Sequence, residues 1–328
     1  MMKYNVIGDI HGRTNWKDLV IDDGINIFVG DYFSPYDTIY TFEKCLENFL
    51  EIIEFKKQRP ETVLLLGNHD ADHWQWLEYG EQMTRHHYHN ENQIKEVFEA
   101  NADLFQIAYS AGNQYLITHA GVSMIWLYRN INYTSTNKNA RFRANFLDLS
   151  YYDMRSCRDV NEAYQKHQNL RAERYKWSGV EYVFKTPEDE NLLLFWNGNW
   201  YEPLNDQWSI IDYLTPDVVA HFINRLWKEK NFHFTWRCNR GINDFCGDSI
   251  TQSPMWIRPE ELLDSNIFRE HKQYKQVVGH TQFEKVVGLN TPVWSEEKQQ
   301  FVAYEQGNPE VYFVDCLGKK SESFVFEC

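Results

Sequence analysis

Five short segments of the chain place acidic, imidazole or amide side chains beside glycine or at the end of an apolar run. They are Gly8-Asp9-Ile10-His11-Gly12, Gly30-Asp31, Gly67-Asn68-His69-Asp70, Thr118-His119-Ala120-Gly121 and Gly279-His280-Thr281. Mixed oxygen and imidazole ligands suit Mn, Fe or Zn better than Ca or Mg. Two such ions about 3.5–4 Å apart need a bridging carboxylate, for which Asp31 is the natural candidate. The pattern predicts a dinuclear metal centre that activates a shared water and clamps phosphoryl oxygens.

Short apolar runs precede these segments and must position them. Residues 3–7, 25–29, 62–66, 114–118 and 276–278 are predicted strands. Helical spacing of apolar residues predicts helices over 38–57 and 90–105, and Thr215-Pro216 is typical of a helix start. Strand, helix and strand in alternation, with ligand residues at the strand ends, indicate an α/β layered fold.

The five segments, taken in this order, resemble the calcineurin-like metallophosphoesterase superfamily, nearest its phosphoprotein-phosphatase and diadenosine-tetraphosphatase branch. The resemblance implies an α/β sandwich of two mixed β-sheets flanked by helices, with metals at the strand ends. It covers residues 1–125 and 253–328, which we expect to form the two parts of the core. Residues 126–252 carry no such segment and are interpreted as an inserted cap subdomain of helical or mixed structure.

The resemblance also implies roles for the ligand-type residues. Asp31 would bridge two divalent ions, with Asp9 and His11 on the first ion and Asn68, His119 and His280 on the second. Mn is expected, with Fe or Zn as alternatives. A bridging hydroxide would attack phosphorus, and His69 would donate a proton to the leaving oxygen.

The sequence departs from this branch after the second segment. The acid that would orient the general-acid histidine is Ser34, and the arginine that would grip phosphate is Pro35. Asp37 or Asp70 is an alternative support for His69. These changes put protein-phosphatase activity in question.

Two arginines are candidates for the missing phosphate contact. Arg13 follows the first segment, and Arg258 lies in a tryptophan-containing stretch that precedes His280. Either guanidinium could hold a phosphoryl group through two hydrogen bonds. The alternative for Arg258 is a surface salt bridge.

Other motifs leave alternatives open. The run Arg85-His86-His87-Tyr88-His89 is either a solvated loop, which we favour, or a third metal site. Asp72 and His73 are interpreted as structural. The aromatic and arginine-rich insertion is either a lid that reads substrate or a small core with a solvated face.

Composition limits the class of protein. The chain has 328 residues, of which 43% are hydrophobic, so it can bury a core and is not globally disordered. A formal net charge of −14 makes nucleic acid an unlikely partner, because phosphate binding needs a basic surface. Six scattered cysteines without a Cys-x-x-Cys pair are typical of reduced thiols. With no signal peptide or membrane span visible, we expect a cytoplasmic protein without a membrane partner.

These observations favour a metal-dependent phosphatase with a serine/threonine-phosphatase-like action on phosphomonoesters, either a phosphorylated small molecule or a phosphoprotein. A nucleotide hydrolase of the dinucleoside-polyphosphate type is the alternative within the class. A non-catalytic interaction scaffold with the same fold is the alternative from another class. Scaffolds tend to lose a ligand or the proton donor, whereas this chain keeps both.

Overall fold

The computed structural model describes most of the chain. The described residues are 1–37, 39–72, 90–130, 145–149, 154, 156–178, 192–196, 199–204, 207–210, 215–235, 247–265, 274–290, 293–295, 300–302 and 309–328. Their strands are β1 Lys3–Ile7, β2 Ile25–Phe28, β3 Val63–Leu65, β4 Phe105–Gln106, β5 Ala108–Ala111, β6 Tyr115–Thr118, β7 Asn145–Asp148, β8 Leu192–Trp196, β9 Asn199–Leu204, β10 Gln207–Ile210, β11 Lys275–Val278, β12 Val287–Leu289, β13 Val293–Ser295, β14 Gln300–Val302, β15 Val311–Phe313 and β16 Phe324–Glu327. Their α-helices are α1 Phe42–Gln58, α2 Glu91–Ala100, α3 Met124–Asn130, α4 Val160–Ser178, α5 Pro216–Lys230 and α6 Pro259–Ser265.

The chain divides into two compact units. The larger contains the described residues of 1–126, 215–266 and 272–328, and the smaller contains those of 127–214. The described residues of 215–252, which the predicted insertion includes, fall in the larger unit. A functional division into core and cap stays a prediction.

Two five-stranded mixed sheets form the framework of the larger unit. The first has the order β16-β1-β2-β3-β4, with β1 to β4 parallel and β16 antiparallel to β1. The second has the order β12-β15-β11-β6-β5, with β15, β11 and β6 parallel and the two edge strands antiparallel. This architecture confirms the α/β sandwich expected from the resemblance.

Alternate strand residues build the core between the sheets. Tyr4 and Val6 of β1 share one buried cluster with Ile117 of β6 and Val277 of β11. Because successive strand residues point to opposite faces, the residues between them face the outer layers. Phe28 shows this, since its ring packs edge-on against those of Trp16 and Phe55.

Helix α1 covers an outer face of the first sheet through an aromatic cluster. Phe49 is fully buried, with ring centroids 5.0 Å from Tyr32, 5.0 Å from Phe33 and 4.8 Å from Phe98. Thr41 begins the helix, accepting a hydrogen bond from the Lys44 backbone N–H. The predicted helix over 38–57 is confirmed apart from its first turn.

Helix α5 belongs to the larger unit because one polar side chain pairs with the backbone at β5. Asn224 Oδ1 accepts the N–H groups of Ile107 (2.8 Å) and Ala108 (3.0 Å). Asn224 Nδ2 donates to the Ala108 carbonyl at 2.8 Å. The predicted helix start at Thr215-Pro216 is confirmed, and its residues pack with the core rather than with the smaller unit.

The smaller unit has its own sheet and core. Its strands have the order β10-β9-β8-β7. Leu194, Trp196 and Tyr201 share a buried cluster with Tyr164 of α4, and Trp196 Nε1 donates to the Met154 carbonyl at 2.8 Å. These aromatic side chains of the insertion therefore stabilise a local core.

Among the described residues, no helix is both long and apolar enough to cross a membrane. The cysteines within the described ranges, Cys45, Cys157, Cys316 and Cys328, are free thiols.

We predict that Phe49→Ala lowers the free energy of unfolding by about 3–5 kcal/mol, because it removes a buried ring from a close-packed aromatic cluster. Urea unfolding followed by tryptophan fluorescence measures the change. Leu50→Ala is the matched control, since Leu50 is the next residue of the same helix and is 45% exposed. It should change stability by no more than about 0.5 kcal/mol. Equal effects of the two substitutions would contradict this account of the core.

Candidate metal centre

The predicted ligand residues meet at one edge of the sandwich. Asp9, Asp31 and Asn68 follow the parallel strands β1, β2 and β3, whereas His119 and His280 follow β6 and β11 of the other sheet. The carboxyl ends of parallel strands lie at the same edge of a sheet, so each sheet delivers its ligands to that edge. His11 and His69 are also buried there.

Two groups of side chains each bring three ligand atoms within 4.8 Å of one another. One group is His11, Asp31 and His69, and the other is Asp9, Asp31 and His119. Asp31 is common to both, with its Oδ2 at 3.6 Å from His11 Nε2 and 3.5 Å from His119 Nε2. This arrangement fits a dinuclear divalent metal site.

Asn68 joins the second group through its side-chain oxygen. Asn68 Oδ1 lies 2.8 Å from His119 Nε2 and 2.9 Å from His280 Nδ1. The structure therefore brings together all six predicted ligands, with Asn68 Oδ1 next to ring nitrogens of both His119 and His280.

Backbone carbonyls fix the tautomers of the three predicted histidine ligands. His11 Nδ1 donates to the Phe33 carbonyl (2.9 Å), His119 Nδ1 to that of Val29 (2.9 Å), and His280 Nε2 to that of Trp256 (3.1 Å). A carbonyl oxygen only accepts, so the proton of each neutral ring lies on the nitrogen facing away from the centre. The remaining nitrogens present lone pairs inward, as metal-ligating histidines do.

The imidazole rings are held neutral. Burial, assisted by the charge of Arg13, lowers the pKa of His11 to about 4, and burial lowers the pKa of His119 to about 3. Burial lowers the pKa of His280 well below its ordinary value, with the neighbouring His119 and Arg258 adding to the effect. With these tautomers, the inward ring nitrogens of His119 and His280 carry lone pairs and both face the Asn68 amide. Two imidazole nitrogens and an amide oxygen are a donor set that suits a divalent cation.

The backbone of the site is strained at three of the ligands. His11, Asp31 and His280 have φ values of 44°, 52° and 65°. These values lie in the left-handed region, which residues other than glycine rarely adopt. Each such residue costs about 1–3 kcal/mol and persists only where its surroundings impose it.

Two glycines leave space for the carboxylates. A Cβ atom at Gly67 would overlap Asp31 Oδ1, and one at Gly279 would overlap Asp9 Oδ1. With no Cβ at Gly279, the Asp9 carboxylate can accept a hydrogen bond from the backbone N–H of His280 at 3.0 Å. These glycines are required because turns from different strands approach within contact distance.

Asp70 braces two of the turns. Its Oδ2 accepts the backbone N–H groups of Asp31 (2.7 Å) and Gly67 (2.9 Å), and its Oδ1 accepts that of Tyr32 (2.9 Å). Of the two acids expected to support His69, Asp70 therefore acts on the backbone that carries Asp31. Asp37 is exposed and accepts the N–H of Ile39 in its own turn.

His69 lies next to Asp31, the residue predicted to bridge two metal ions. Its backbone N–H donates to Asp31 Oδ1 at 2.9 Å, and its Nε2 is 3.9 Å from Asp31 Oδ2. Its ring meets that of His11 edge-on at a centroid distance of 5.1 Å. The imidazole of His69 can therefore reach a substrate group that binds next to the Asp31 carboxylate.

Both candidate arginines lie beside the centre. Arg13 Nη1 donates to the Asp9 carbonyl at 3.2 Å. Arg258 Nη1 donates to Thr281 Oγ1 at 3.0 Å, beside the turn that carries His280. Each guanidinium is thus placed by a backbone segment that also supplies a ligand.

Asp315 is a site residue that the sequence analysis did not identify. It is buried, and the pKa of its carboxyl is raised to about 6 by burial, against the opposing influence of Arg13 and of a hydrogen bond with Asp9. The available signal was its position two residues after β15, in the strand-then-acid pattern that identified Asp9. Its strand lies beside β11 in the second sheet.

Tyr36 stands at the rim of the centre. Its ring is 4.7 Å from that of His11 and 6.3 Å from that of His69. The side chain is 59% exposed. It follows directly on the departures at Ser34 and Pro35.

Asp72 is buried, in keeping with a structural role. His73 and the run Arg85–His89 lie outside the described residues, so their interpretation is unchanged.

Three comparisons with known proteins place the chain among its relatives. Residues 2–282 match the family model of the calcineurin-like phosphoesterases. No curated protein matches the chain. Among solved structures, a protein serine/threonine phosphatase from Saccharomyces cerevisiae with similarity to human phosphatase PP5 is 22% identical, over 37% of this chain and 38% of that one, with a TM-score of 0.27. The cold-active protein-tyrosine phosphatase of a psychrophilic Shewanella species is 14% identical, over 100% of this chain and 76% of that one, with a TM-score of 0.45.

A sandwich of two mixed sheets with a buried carboxylate and histidine centre at its strand ends defines a metal-dependent phosphoesterase. The family match covers most of the chain, which therefore belongs to the calcineurin-like phosphoesterases.

We predict that the metal-free protein loses stability as pH rises from 6.5 to 8. Burial raises the pKa of Asp70 to about 7, and burial with the charge of Asp70 raises the pKa of Asp31 well above its ordinary value. Stability from a raised carboxyl pKa is full below the unfolded value and is lost as pH rises through the folded value. The lowered pKa values of His11 and His119 act in the opposite direction, but only below about pH 6.5.

Thermal unfolding in EDTA at both pH values measures this effect. Mn²⁺ should raise the melting temperature more at pH 8 than at pH 6.5, and Asp31→Asn should reduce the pH dependence of the metal-free protein. A melting temperature in EDTA that rises or stays constant over this interval would contradict the prediction.

Proposed function

We propose that this protein is a dinuclear metal-dependent phosphomonoesterase. The observation that carries the proposal is the sharing of Asp31 between two buried ligand groups, in which His11 and His119 are neutral and direct a ring nitrogen inward. Such a donor set suits Mn, Fe or Zn, and we expect Mn.

The residues divide into two coordination sets in this proposal. Asp9 and His11 would hold one ion, Asn68, His119 and His280 would hold the other, and Asp31 would contact both. Two ions so placed would lower the pKa of a shared water and neutralise phosphoryl oxygens. His11 Nε2 and His119 Nε2 lie 3.6 Å and 3.5 Å from the same Asp31 oxygen, which supports Asp31 as the ligand shared by the two sets.

His69 is proposed as the proton donor to the leaving oxygen. It neighbours His11 and Asp31, yet it is more exposed than either of them, which suits a group that meets substrate. Its backbone hydrogen bond to Asp31 ties its position to the centre. Protonation of the leaving group matters most when that group is a poor one.

Arg258 and Arg13 are proposed as contacts for the phosphoryl group. The Thr281 hydroxyl holds Arg258 beside His280, and the Asp9 carbonyl holds Arg13 beside His11. The two guanidinium groups thus take over the function of the arginine replaced by Pro35. All six ligand-type residues and His69 are retained and assembled, which argues against a non-catalytic scaffold.

We predict hydrolysis of p-nitrophenyl phosphate that disappears when metal is removed and returns when Mn²⁺ is added. The bis-ester, bis(p-nitrophenyl) phosphate, should react more slowly, since a monoester presents more oxygens to the two ions and the arginines. Release of p-nitrophenol measures both rates. Turnover that persists in EDTA would overturn the proposal, and faster turnover of the bis-ester would indicate a phosphodiesterase.

Asp31→Asn is the control for the dinuclear assignment. Metal analysis after gel filtration should find no more than one ion bound per chain in this variant, against two in the unaltered protein. Two ions and full activity in Asp31→Asn would exclude Asp31 as the bridge.

We predict that His69→Ala retains both ions and loses activity in proportion to how poor the leaving group is. The decrease should reach about 10²–10⁴-fold for an alkyl phosphate and be much smaller for p-nitrophenyl phosphate, whose leaving group needs little protonation. Rates for a series of phosphate esters measure this dependence. An equal loss for every ester, or loss of one ion, would assign His69 a ligand role instead.

A further inference from the structure

A polar cleft adjoins the proposed metal centre on the side of His11. Its volume is about 590 Å³, and its walls come from the segments that contain His11, Tyr36, Gln282 and Lys319. All of these segments belong to the larger unit. The cleft is thus continuous with the place where a phosphoryl group would be held.

The part of the cleft around Gly318 is rich in hydrogen-bond donors. Because Gly318 has no side chain, Arg13 Nη2 and Gln282 Nε2 can lie close to its Cα, where a Cβ atom would overlap them. The neighbouring Lys319 adds an ammonium group to the same part of the cleft. Arg13 stands at the boundary, because its Nη1 already contacts the Asp9 carbonyl in the metal centre.

The cationic side chains that line this cleft outnumber its carboxylates. Arg13 and Lys319 both line the cleft, against a single lining carboxylate, Asp37. Lys319 Nζ lies 3.9 Å from Glu284 Oε1, and both groups are largely exposed, so that ion pair is weak. A local surplus of donors and cations on a chain of net charge −14 favours an anion in the cleft.

We propose that the cleft binds a second anionic group of the substrate. The preferred substrate is then a small phosphate ester whose leaving group carries a carboxylate or another phosphate. In this proposal Lys319 and Gln282 contact the second anion, and Arg13 lies between it and the reacting phosphoryl group. The inference rests on the proposed phosphoesterase function and adds to it the chemical class of the leaving group.

Non-hydrolysable phosphonates test the cleft separately from catalysis. The matched probes are propylphosphonate, 3-carboxypropylphosphonate and propane-1,3-diylbisphosphonate, which differ in the charge of the far end. Isothermal titration calorimetry with Mn²⁺-loaded protein gives the dissociation constants. We expect the two-anion probes to bind about tenfold more tightly than propylphosphonate, as one additional charge-assisted contact would provide.

Lys319→Ala should reduce this ratio to about twofold or less. The matched control is Lys320→Ala, because Lys320 is the next residue, is similarly exposed and pairs with Glu322 instead of lining the cleft. It should keep the full ratio. Chelation of Mn²⁺ by a probe would affect the unaltered protein and the two lysine variants equally. It therefore cannot make the ratio differ between Lys319→Ala and Lys320→Ala.

A stronger gain for the bisphosphonate than for the carboxylate identifies a second phosphate, and equal gains identify any compact anion. Equal binding of all three probes to the unaltered protein, or a full ratio in Lys319→Ala, overturns the inference. Failure of the proposed function itself would appear elsewhere, as p-nitrophenyl phosphate hydrolysis that does not depend on metal.

Discussion

The charge of the buried centre is the constraint on which the surrounding structure depends. Asp9, Asp31, Asp70 and Asp315 are buried together, and the predicted histidine ligands among them are neutral. Buried carboxylates must be protonated, hydrogen-bonded or paired with cations. Backbone N–H groups from neighbouring turns satisfy some of their oxygens, and guanidinium groups lie at the edge. The positive charge still missing is what two divalent ions would provide, so the tight turns, the fixed tautomers and the glycine contacts all serve one electrostatic need.

Local chemistry explains how much of this centre the sequence could predict. A ligand-type residue after an apolar run is visible in the sequence, and parallel strands bring such residues to one edge whatever their distance along the chain. The same reasoning could not assign Asp70, whose partners are the backbone N–H groups of Asp31 and Tyr32. Nor did it identify Asp315, because the relevance of a single acid after a strand depends on which strands become neighbours. Sheet order is a property of the assembled fold.

The same limit applies to the organisation of the chain. Residues after Thr215 share their aromatic-rich texture with the insertion, so composition alone placed them in it. The structure assigns α5 to the larger unit because Asn224 pairs with the backbone of residues 107 and 108. A single asparagine on a helix carries no mark of a partner more than a hundred positions earlier. Helix start and length follow from local propensity, whereas the packing partner of a helix is decided by long-range contacts.

The left-handed residues of the centre have a consequence for how such a protein changes over generations. The left-handed backbone at His11, Asp31 and His280 costs about 1–3 kcal/mol at each position. Glycine or asparagine at any of these positions would remove part of that cost. A substitution that removes a ligand would therefore also remove a conformational penalty. Drift under selection for folding alone would lead away from the centre at three independent positions, and the return would be uphill. At these three positions the preferences of the backbone and of the metal centre therefore oppose each other, so a substitution that relaxes the backbone is also one that alters the ligand set.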